Sequence, residues 1–292
     1  MIIKFKPVLL EKVWGGKNLM KRYESDLKNI GEVWGISAHE TYSTKIVNTE
    51  YAGYDLRRLY LEHREVFGEL DLDEFPILFK VIDAADDLSV QVHPTDDYAL
   101  KYENSNGKDE CWYILETHSD NTEIIIGHNA KNKEELVEMI RSNKFDELIN
   151  KFSIKPHDYF YIPSGKVHAI CKDTTLLEVS QSSNVTYRLY DYNRLDNGKL
   201  RDLHIEQSIN VITVPDSKLE RVHNQKYFDY EIIKNTGKFK YQAHRYGDYF
   251  YLISGKGVIN QELVEAGDFF MVSSFDDYMF DGDFSYARVR IN

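Results

Sequence analysis

Val90-Gln91-Val92-His93-Pro94 is the stretch around which the rest of the chain can be interpreted. Strand-forming residues lead into it, so Gln91 and His93 are expected in an extended segment. Because side chains alternate along a strand with a period of two, these two polar groups should point the same way. Pro94 then ends the strand, and Thr95 begins a short helix. By itself, the pair of Gln91 and His93 would be half of a metal site. A Gln-x-His pair more often lies on the surface or in the core without binding a metal.

Composition favours a mainly β protein, and the charge balance limits the kinds of partner that it could bind. The 292 residues include 21 Tyr and 15 Phe, and the short apolar runs are rich in β-branched and aromatic residues. The formal net charge is -12, and no Lys/Arg-rich block stands out. This balance argues against nucleic acid or an anionic membrane as a partner. An anionic substrate would need a local basic pocket.

Cysteine usage and the N-terminal residues favour a cytoplasmic location. The two cysteines, Cys111 and Cys171, lack CxxC spacing, so neither a disulfide framework nor a cysteine metal site is expected. The first residues lack the apolar stretch of a signal peptide, and no run approaches the length of a membrane span.

The pattern along the chain predicts two domains. Residues 1–220 should form the larger, metal-binding domain, with helices at 96–102 and 133–149 that make a helical insert at about 95–150. A helix is also expected over 54–67, ending at Gly68. Beyond about residue 221, short strands alternate with glycine turns, which is typical of a small β sandwich or barrel. Residues 221–292 should therefore form a smaller C-terminal β domain without a metal of its own.

Two later segments complete the candidate metal site. In Lys108-Asp109-Glu110-Cys111-Trp112, an extended backbone places Lys108 and Glu110 on one face, although an exposed edge-strand ion pair would explain them equally well. A Pro-Gly turn precedes His168 and fixes where that side chain projects. Gln91, His93, Glu110 and His168 then supply two imidazoles, a carboxylate and an amide oxygen. This set suits Zn²⁺ with an open water position, and Mn²⁺ and Fe²⁺ are alternatives.

Several motifs, in one order, resemble those of the type I mannose-6-phosphate isomerases in their short bacterial form. They match over residues 7 to about 205, and the C-terminal part fits more loosely. The matching segments are residues 31–37, 89–94, 107–110, 162–170 and 186–192. Asn184 departs from the family pattern, in which Asp is common before the Tyr-Arg segment. His157-Asp158 also replaces the usual Gly-Asp turn, which is expected to be a structural change.

The resemblance implies a cupin-type β sandwich or barrel (jelly roll) and a cupin-like C-terminal domain. It also implies one zinc ion per chain, held by the four ligands above, and interconversion of mannose 6-phosphate and fructose 6-phosphate through an enediol(ate). Arg188 and Lys108 match family positions that are implicated in catalysis. Lys80, within an apolar strand, and Glu178 are the expected substrate-binding residues. Lys108 and Glu178 are both candidates for the general base.

Two other functions fit parts of the pattern. Two histidines and one carboxylate also describe the iron site of a mononuclear cupin oxygenase, although Gln91 as a fourth ligand leaves fewer open positions for oxygen. A non-catalytic sugar-phosphate binding protein is the other alternative, against which the intact ligand set argues. We expect a monomer or homodimer.

Overall fold

The structure, a computed structural model, describes residues 1–217 and 225–292 and is mainly β. The strands before residue 130 are β1 Ile2–Lys6, β2 Val8–Gly16, β3 Ile30–Ile36, β4 Lys45–Ile46, β5 Ile77–Ala84, β6 Val90–Val92, β7 Glu110–Thr117 and β8 Glu123–His128. The later strands are β9 Ile149–Ser153, β10 Tyr159–Ile162, β11 His168–Ile170, β12 Thr174–Gln181, β13 Tyr187–Tyr190, β14 Leu195–Asp196, β15 Lys199–Leu200, β16 Phe228–Gln242, β17 Asp248–Ile259, β18 Glu262–Glu265, β19 Phe269–Val272 and β20 Asp277–Ile291.

The helices are short. They are α1 Asn18–Arg22, α2 Leu56–Glu62, α3 Asp96–Glu103, α4 Lys133–Arg141, α5 Phe145–Leu148 and α6 Ile205–Val211, with a 3₁₀ turn at Arg64–Phe67. Among the described residues, none of these helices has the length and apolar character needed to span a bilayer.

The helix expected over 54–67 is present as α2 followed by the 3₁₀ turn. Asp55 caps α2, because its carboxylate accepts a hydrogen bond of 2.9 Å from the Arg58 backbone N–H. Gly68 ends the segment in the left-handed conformation, with φ +63°. Leu59 and Phe67 are fully buried, as the apolar spacing predicts.

The region at 95–150 is a mixture of helices and strands. It contains α3, α4 and α5, but β7 and β8 run through it and belong to the sheets. The single helix expected over 133–149 is interrupted after Arg141, where Asn143 adopts φ +55°. A residue in this left-handed conformation cannot continue a right-handed helix, so the chain turns and α5 begins.

The chain divides into two compact units: Met1–Leu10 with Val33–Lys80 and Val222–Asn292, and Glu11–Glu32 with Val81–Arg221. The expected boundary between residues 220 and 221 lies outside the described residues, as does His223. The first unit takes in N-terminal strands because β1 pairs with β19, in the register Ile2↔Val272. The predicted division after residue 220 placed these N-terminal strands in the larger domain. Which parts of the chain fold independently stays a prediction.

The first unit contains one large antiparallel sheet. Its described strands follow the order β16-β20-β17-β19-β1-β4, and β18 pairs with β17. The longest pairing joins β16 and β20 from Phe228↔Ile291 to Gln242↔Asp277. Aromatic side chains dominate its core, among them Phe250 and Phe270, which stack with ring centroids 4.8 Å apart.

The second unit contains a sandwich of two sheets. One has the strand order β13-β6-β11-β8-β9. The other has the order β10-β7-β12-β5-β2-β3. Buried side chains from both sheets form one apolar cluster; they include Trp112 and Phe160 from the second sheet and Ile126 and Ile170 from the first. The two sheets therefore face each other across a shared core.

Candidate metal centre

Strand β6 lies between β11 and β13, and its Gln91 is opposite a predicted site residue on each side. Gln91 pairs with His168 of β11 and with Arg188 of β13. Because directly opposed residues of antiparallel strands project from the same face, these three side chains lie in one row. His93 follows β6, two residues beyond Gln91, and belongs to the same face. The sheet thus gathers residues that are up to 97 positions apart in the sequence.

The opposite face of this sheet is apolar. Val90, Val92, Ala169 and Leu189 are buried there, against side chains from α4, α5 and α6. A register shift of one residue would bury the polar row among these side chains and expose the apolar row. The alternation of Val90-Gln91-Val92 therefore fixes which side chains face the site.

Glu110 reaches the site from the facing sheet. It is the first residue of β7, between Ile162 of β10 and Ser180 of β12. Its side chain is fully buried. Glu178, on β12, and Lys108, just before β7, come from the same sheet and are also buried.

The two histidines and Glu110 converge on one point between the sheets. Nε2 of His93 lies 3.3 Å from Oε2 of Glu110, and Nε2 of His168 lies 3.4 Å from Oε1. The two Nε2 atoms are 3.2 Å apart. Among residues 1–217 and 225–292, this is the group of His, Cys, Asp and Glu side chains whose ligand atoms come within the reach of one metal ion. His244, in the first unit, is not part of such a group.

Hydrogen bonds orient both imidazole rings toward this point. Nδ1 of His93 lies 2.9 Å from the carbonyl oxygen of Val185, and Nδ1 of His168 lies 2.8 Å from that of Lys166. A carbonyl only accepts, so each Nδ1 carries the proton and each Nε2 presents a lone pair. This is the arrangement by which histidine ligands are held in many metal sites.

The carboxylate of Glu110 is buried and only partly satisfied. Oε2 pairs with Nζ of Lys108 at 2.8 Å, and Oε1 has no hydrogen-bond partner among the described residues. Buried polar atoms in this state are costly unless a ligand completes them. Two imidazole lone pairs and a partly satisfied carboxylate, all aimed at one point, fit a divalent cation.

Gln91 lies beside this group. Its Nε2 is 3.3 Å from Nε2 of His168. The two ends of an amide are assigned from the surrounding hydrogen bonds, and a rotation of 180° exchanges them. With the amide oxygen on the His168 side, Gln91 would supply the fourth ligand atom that the sequence predicted.

Burial shifts the pKa values of the candidate ligands. Removal from water lowers the pKa of His168 to about 3 and also lowers that of His93, where the charge of Lys108 adds to the effect. Burial alone would raise the pKa of Glu110, but the ammonium of Lys108 holds it well below its usual range. Neutral imidazoles and an ionised carboxylate are the protonation states that a metal requires.

Lys108 lies between two carboxylates. Its Nζ is 2.8 Å from Oε2 of Glu110 and donates a hydrogen bond of 3.1 Å to Oε1 of Glu178. Burial would lower the pKa of this lysine, but the two carboxylates raise it above its ordinary value. Lys108 is therefore a charged ammonium in this structure, a state in which it cannot abstract a proton.

Arg188 is half-buried at the end of the cross-strand row. Nη1 donates a hydrogen bond of 2.8 Å to the carbonyl of Asp202, while Nε is buried and has no hydrogen-bond partner among the described residues. Burial and the charge of Arg201 lower the pKa of the guanidinium. Its intrinsic basicity still keeps it charged at any physiological pH.

Lys80 belongs to the first compact unit. It lies on β5, is buried, and places Nζ 5.7 Å from the centroid of the Trp34 ring. The carbonyls of Val185 and Lys166, which orient the two imidazoles, are site groups that the sequence did not predict. Main-chain atoms are the same in every residue, so no sequence signal identifies them.

Comparisons of the sequence and of the structure with known proteins indicate the same family. The sequence model for "Phosphomannose isomerase type I, catalytic domain" matches residues 2–128. Mannose-6-phosphate isomerase ManA of Bacillus subtilis (strain 168) is 48% identical over 229 residues, which cover 77% of this chain and 72% of that protein. The crystal structure of the mannose 6-phosphate isomerase from Bacillus subtilis has a TM-score of 0.94 at 37% identity and covers 99% of both chains.

A more distant solved structure shares the fold. A mannose 6-phosphate isomerase described as holo and zinc bound has a TM-score of 0.78 at 15% identity, over 100% of this chain and 99% of that chain. Together with the sandwich of two antiparallel sheets, these likenesses confirm the predicted mainly β, cupin-type fold. With relatives of this identity and coverage, the chain belongs to the type I phosphomannose isomerase family.

Proposed function

We infer that the chain is a mannose-6-phosphate isomerase, which interconverts mannose 6-phosphate and fructose 6-phosphate. The observation that carries this conclusion is the buried group of His93, Glu110 and His168, in a chain of this family. The reaction moves a proton between C1 and C2 of the sugar through an enediol(ate). It requires a base, and positive charge where the oxyanion develops.

The proposed cofactor is one zinc ion per chain, held by Gln91, His93, Glu110 and His168. The lone pairs at both Nε2 atoms and the partly satisfied Glu110 carboxylate support this assignment. The two-nitrogen, two-oxygen donor set suits zinc. When bound, the ion would supply a Lewis acid that polarises the substrate oxygens.

Arg188 is proposed to stabilise the developing negative charge. It lies in the same cross-strand row as Gln91 and His168, and its buried Nε–H is free of hydrogen-bond acceptors among the described residues. A donor held in this way loses no hydrogen bond when it meets an anionic oxygen. The planar guanidinium can also engage two oxygens at once.

Lys108 and Glu178 are proposed to act as a charged pair beside the metal ligands. Because Lys108 keeps its proton between two carboxylates, it fits charge stabilisation better than proton abstraction. Glu178 accepts a hydrogen bond from the ammonium and is proposed to share in binding the substrate. Lys80 is proposed as a further substrate-binding residue, because its positive charge would attract an anionic substrate.

The other functions considered are not favoured by the family. An iron oxygenase and a non-catalytic sugar-phosphate binding protein would each share parts of the ligand set, but the relatives are named as isomerases. We further propose that the enzyme is cytoplasmic and is a monomer or homodimer. Its proposed partner is a sugar phosphate, and it is proposed to bind neither nucleic acid nor a membrane.

A coupled assay tests the proposed function. Fructose 6-phosphate formed from mannose 6-phosphate is measured before chelation, after chelation, and after zinc is restored. We expect activity that is lost with the metal and recovered with zinc. Absence of turnover in the metal-loaded protein would contradict the proposal. Oxygen consumption measured in parallel would identify an oxygenase.

A further inference from the structure

Asp109 lies between Lys108 and Glu110, and its side chain makes separate contacts of its own. One carboxylate oxygen accepts hydrogen bonds from both the backbone N–H and the hydroxyl of Ser164, at 2.8 and 2.6 Å. The other oxygen accepts a hydrogen bond of 2.5 Å from the hydroxyl of Tyr161. Ser164 belongs to the turn that leads from β10 into His168. One carboxylate thus ties the residue before Glu110 to the segment before His168.

The backbone of Asp109 is also held from two sides. Its N–H donates to Oε1 of Gln181 at 2.9 Å, and its carbonyl accepts from the Gln181 backbone N–H at 3.0 Å. The side-chain Nε2 of Gln181 then donates to Asp96, whose same oxygen accepts the backbone N–H of Gly107. These bonds restrain the main chain on both sides of Lys108.

Two further main-chain bonds close a ring through the third ligand. Gly165 N–H donates to the carbonyl of His93 at 2.8 Å, and Lys108 N–H donates to the carbonyl of Pro94 at 3.2 Å. The segments that carry His93, Glu110 and His168 are therefore joined to one another in a closed cycle. Asp109–Ser164 is the link of this cycle that depends on side chains.

We propose that Asp109 is a positioning residue that fixes the Glu110 carboxylate relative to the two imidazoles; this rests on the proposed function. The Glu110 oxygens lie 3.3 and 3.4 Å from the two Nε2 atoms, a spacing that a small movement of β7 would change. Metal sites work when their ligands are held to within about 0.5 Å. Asp109 makes no contact with the ligand atoms and acts through the main chain.

The test compares metal binding by variants at Asp109 and at a control carboxylate. Asp109→Ala removes the link, and Asp109→Asn preserves its shape and an acceptor for Ser164. Asp158→Ala is the matched control, because Asp158 accepts the Lys155 N–H at 3.0 Å in a turn of the same unit. Zinc affinity is measured by competition with a chromophoric chelator, and ligand geometry by the visible absorption of the cobalt-substituted protein. Neither measurement involves a sugar phosphate.

We expect Asp109→Ala to bind zinc roughly 10–100-fold more weakly, as for other groups that orient metal ligands. The visible absorption of its cobalt form should change, and its kcat should fall more than its KM rises. Asp109→Asn should recover most of the zinc affinity, the cobalt absorption and the kcat of the wild type. Asp158→Ala should leave the zinc affinity and cobalt spectrum at the wild-type values. If Asp109→Ala does not fold, the double variant Tyr161→Phe/Ser164→Ala, which removes two of the three donors, should show the same changes.

Wild-type zinc affinity and cobalt absorption in Asp109→Ala, or in the double variant, would overturn the positioning role alone. Failure of the wild-type protein to bind zinc or cobalt would overturn the proposed metal site and this inference with it. Wild-type binding of metal without sugar-phosphate turnover would overturn the proposed function, and the positioning role would still be decided by the metal measurements.

Discussion

Nε2 of His93 lies 3.2 Å from Nε2 of His168, while each ring directs its Nδ1 proton to a main-chain carbonyl. Two imidazole lone pairs therefore face each other across a short gap, with the Glu110 carboxylate beside both. Lys108 offsets the charge of the carboxylate, but the two imidazole lone pairs repel each other unless a cation is shared between them. The folded chain thus holds a set of ligands at a cost that a metal ion would offset.

The first prediction concerns metal content. Replacing His93 or His168 with Ala should reduce bound metal from about one ion per chain to near zero and abolish isomerase activity, because a nitrogen ligand is lost. His244→Ala is the control and should retain the metal, since His244 is not in the ligand group. Metal content is measured by elemental analysis, and folding by circular dichroism. Full metal occupancy in both ligand variants would contradict the assignment.

The second prediction concerns the pH dependence of stability in the metal-free protein. Burial lowers the pKa of His168 from 6.5 to about 3 in the folded chain, so between these values the unfolded chain binds more protons. The stabilisation is complete above about pH 6.5 and is lost as the pH falls toward 3. From pH 7 to pH 5, His168 should account for a loss of about 2 kcal/mol in the free energy of unfolding.

Urea unfolding at the two pH values measures this loss. The His168→Gln variant has no titrating group at this position, so its loss over the same interval should be smaller by about 2 kcal/mol. The pKa of His93 is also lowered by burial, which acts in the same direction in both proteins. Equal losses in the wild type and the variant would show that His168 is not buried in its neutral form.

The third prediction concerns the buried ion pairs of Lys108. In metal-free protein, Lys108→Met leaves the carboxylates of Glu110 and Glu178 without their cation, and should cost about 3–5 kcal/mol of stability. Adding Glu178→Gln removes one of the unpaired charges and should recover about 1 kcal/mol or more. A double-mutant cycle by urea unfolding measures this coupling. Additive losses from the two substitutions would show that Lys108 and Glu178 do not interact.

The fourth prediction concerns Arg188. Lysine at this position keeps a positive charge but loses the Nε–H and the planar fork, so charge that develops in the reaction is less well stabilised. Arg188→Lys should lower kcat roughly hundredfold or more and change KM much less. Arg141→Lys, at an exposed arginine, is the control. A variant that is folded and metal-loaded with near-normal kcat would remove Arg188 from the catalytic residues, and a mainly raised KM would indicate a phosphate contact.

The side-chain alternation of strands made much of the site predictable. Gln91 and His93 share a face because the period of a strand is two, and His168 projects from the first position of β11, directly after the predicted Pro-Gly turn. The pairing of Arg188 with Gln91 followed neither from composition nor from spacing, since strand order depends on the whole fold. The family resemblance supplied Arg188 as a candidate catalytic residue, and it did not supply the pairing.

Other features depend on interactions that a sequence does not display. The bond from Lys108 to Glu178 joins residues 70 positions apart, and only the pairing of β7 with β12 brings them together. The expected helix over 133–149 failed at Asn143, because local propensity does not reveal a left-handed residue at a turn. Long-range pairing likewise places β1 beside β19, which the local pattern of β1 does not reveal.

The ligands come from two facing sheets, and this has a consequence for the lifetime of the protein. His168 and the segment just after β6 that carries His93 lie on one side of the sandwich and Glu110 on the other, so a bound ion would cross-link the two sheets. Only the folded chain presents all the ligands together, so its stability should rise with the logarithm of the free metal concentration. With zinc as the proposed ion, scarcity of zinc would expose the chain to proteolysis as well as stop the reaction, and the abundance of the protein would depend on the supply of the ion.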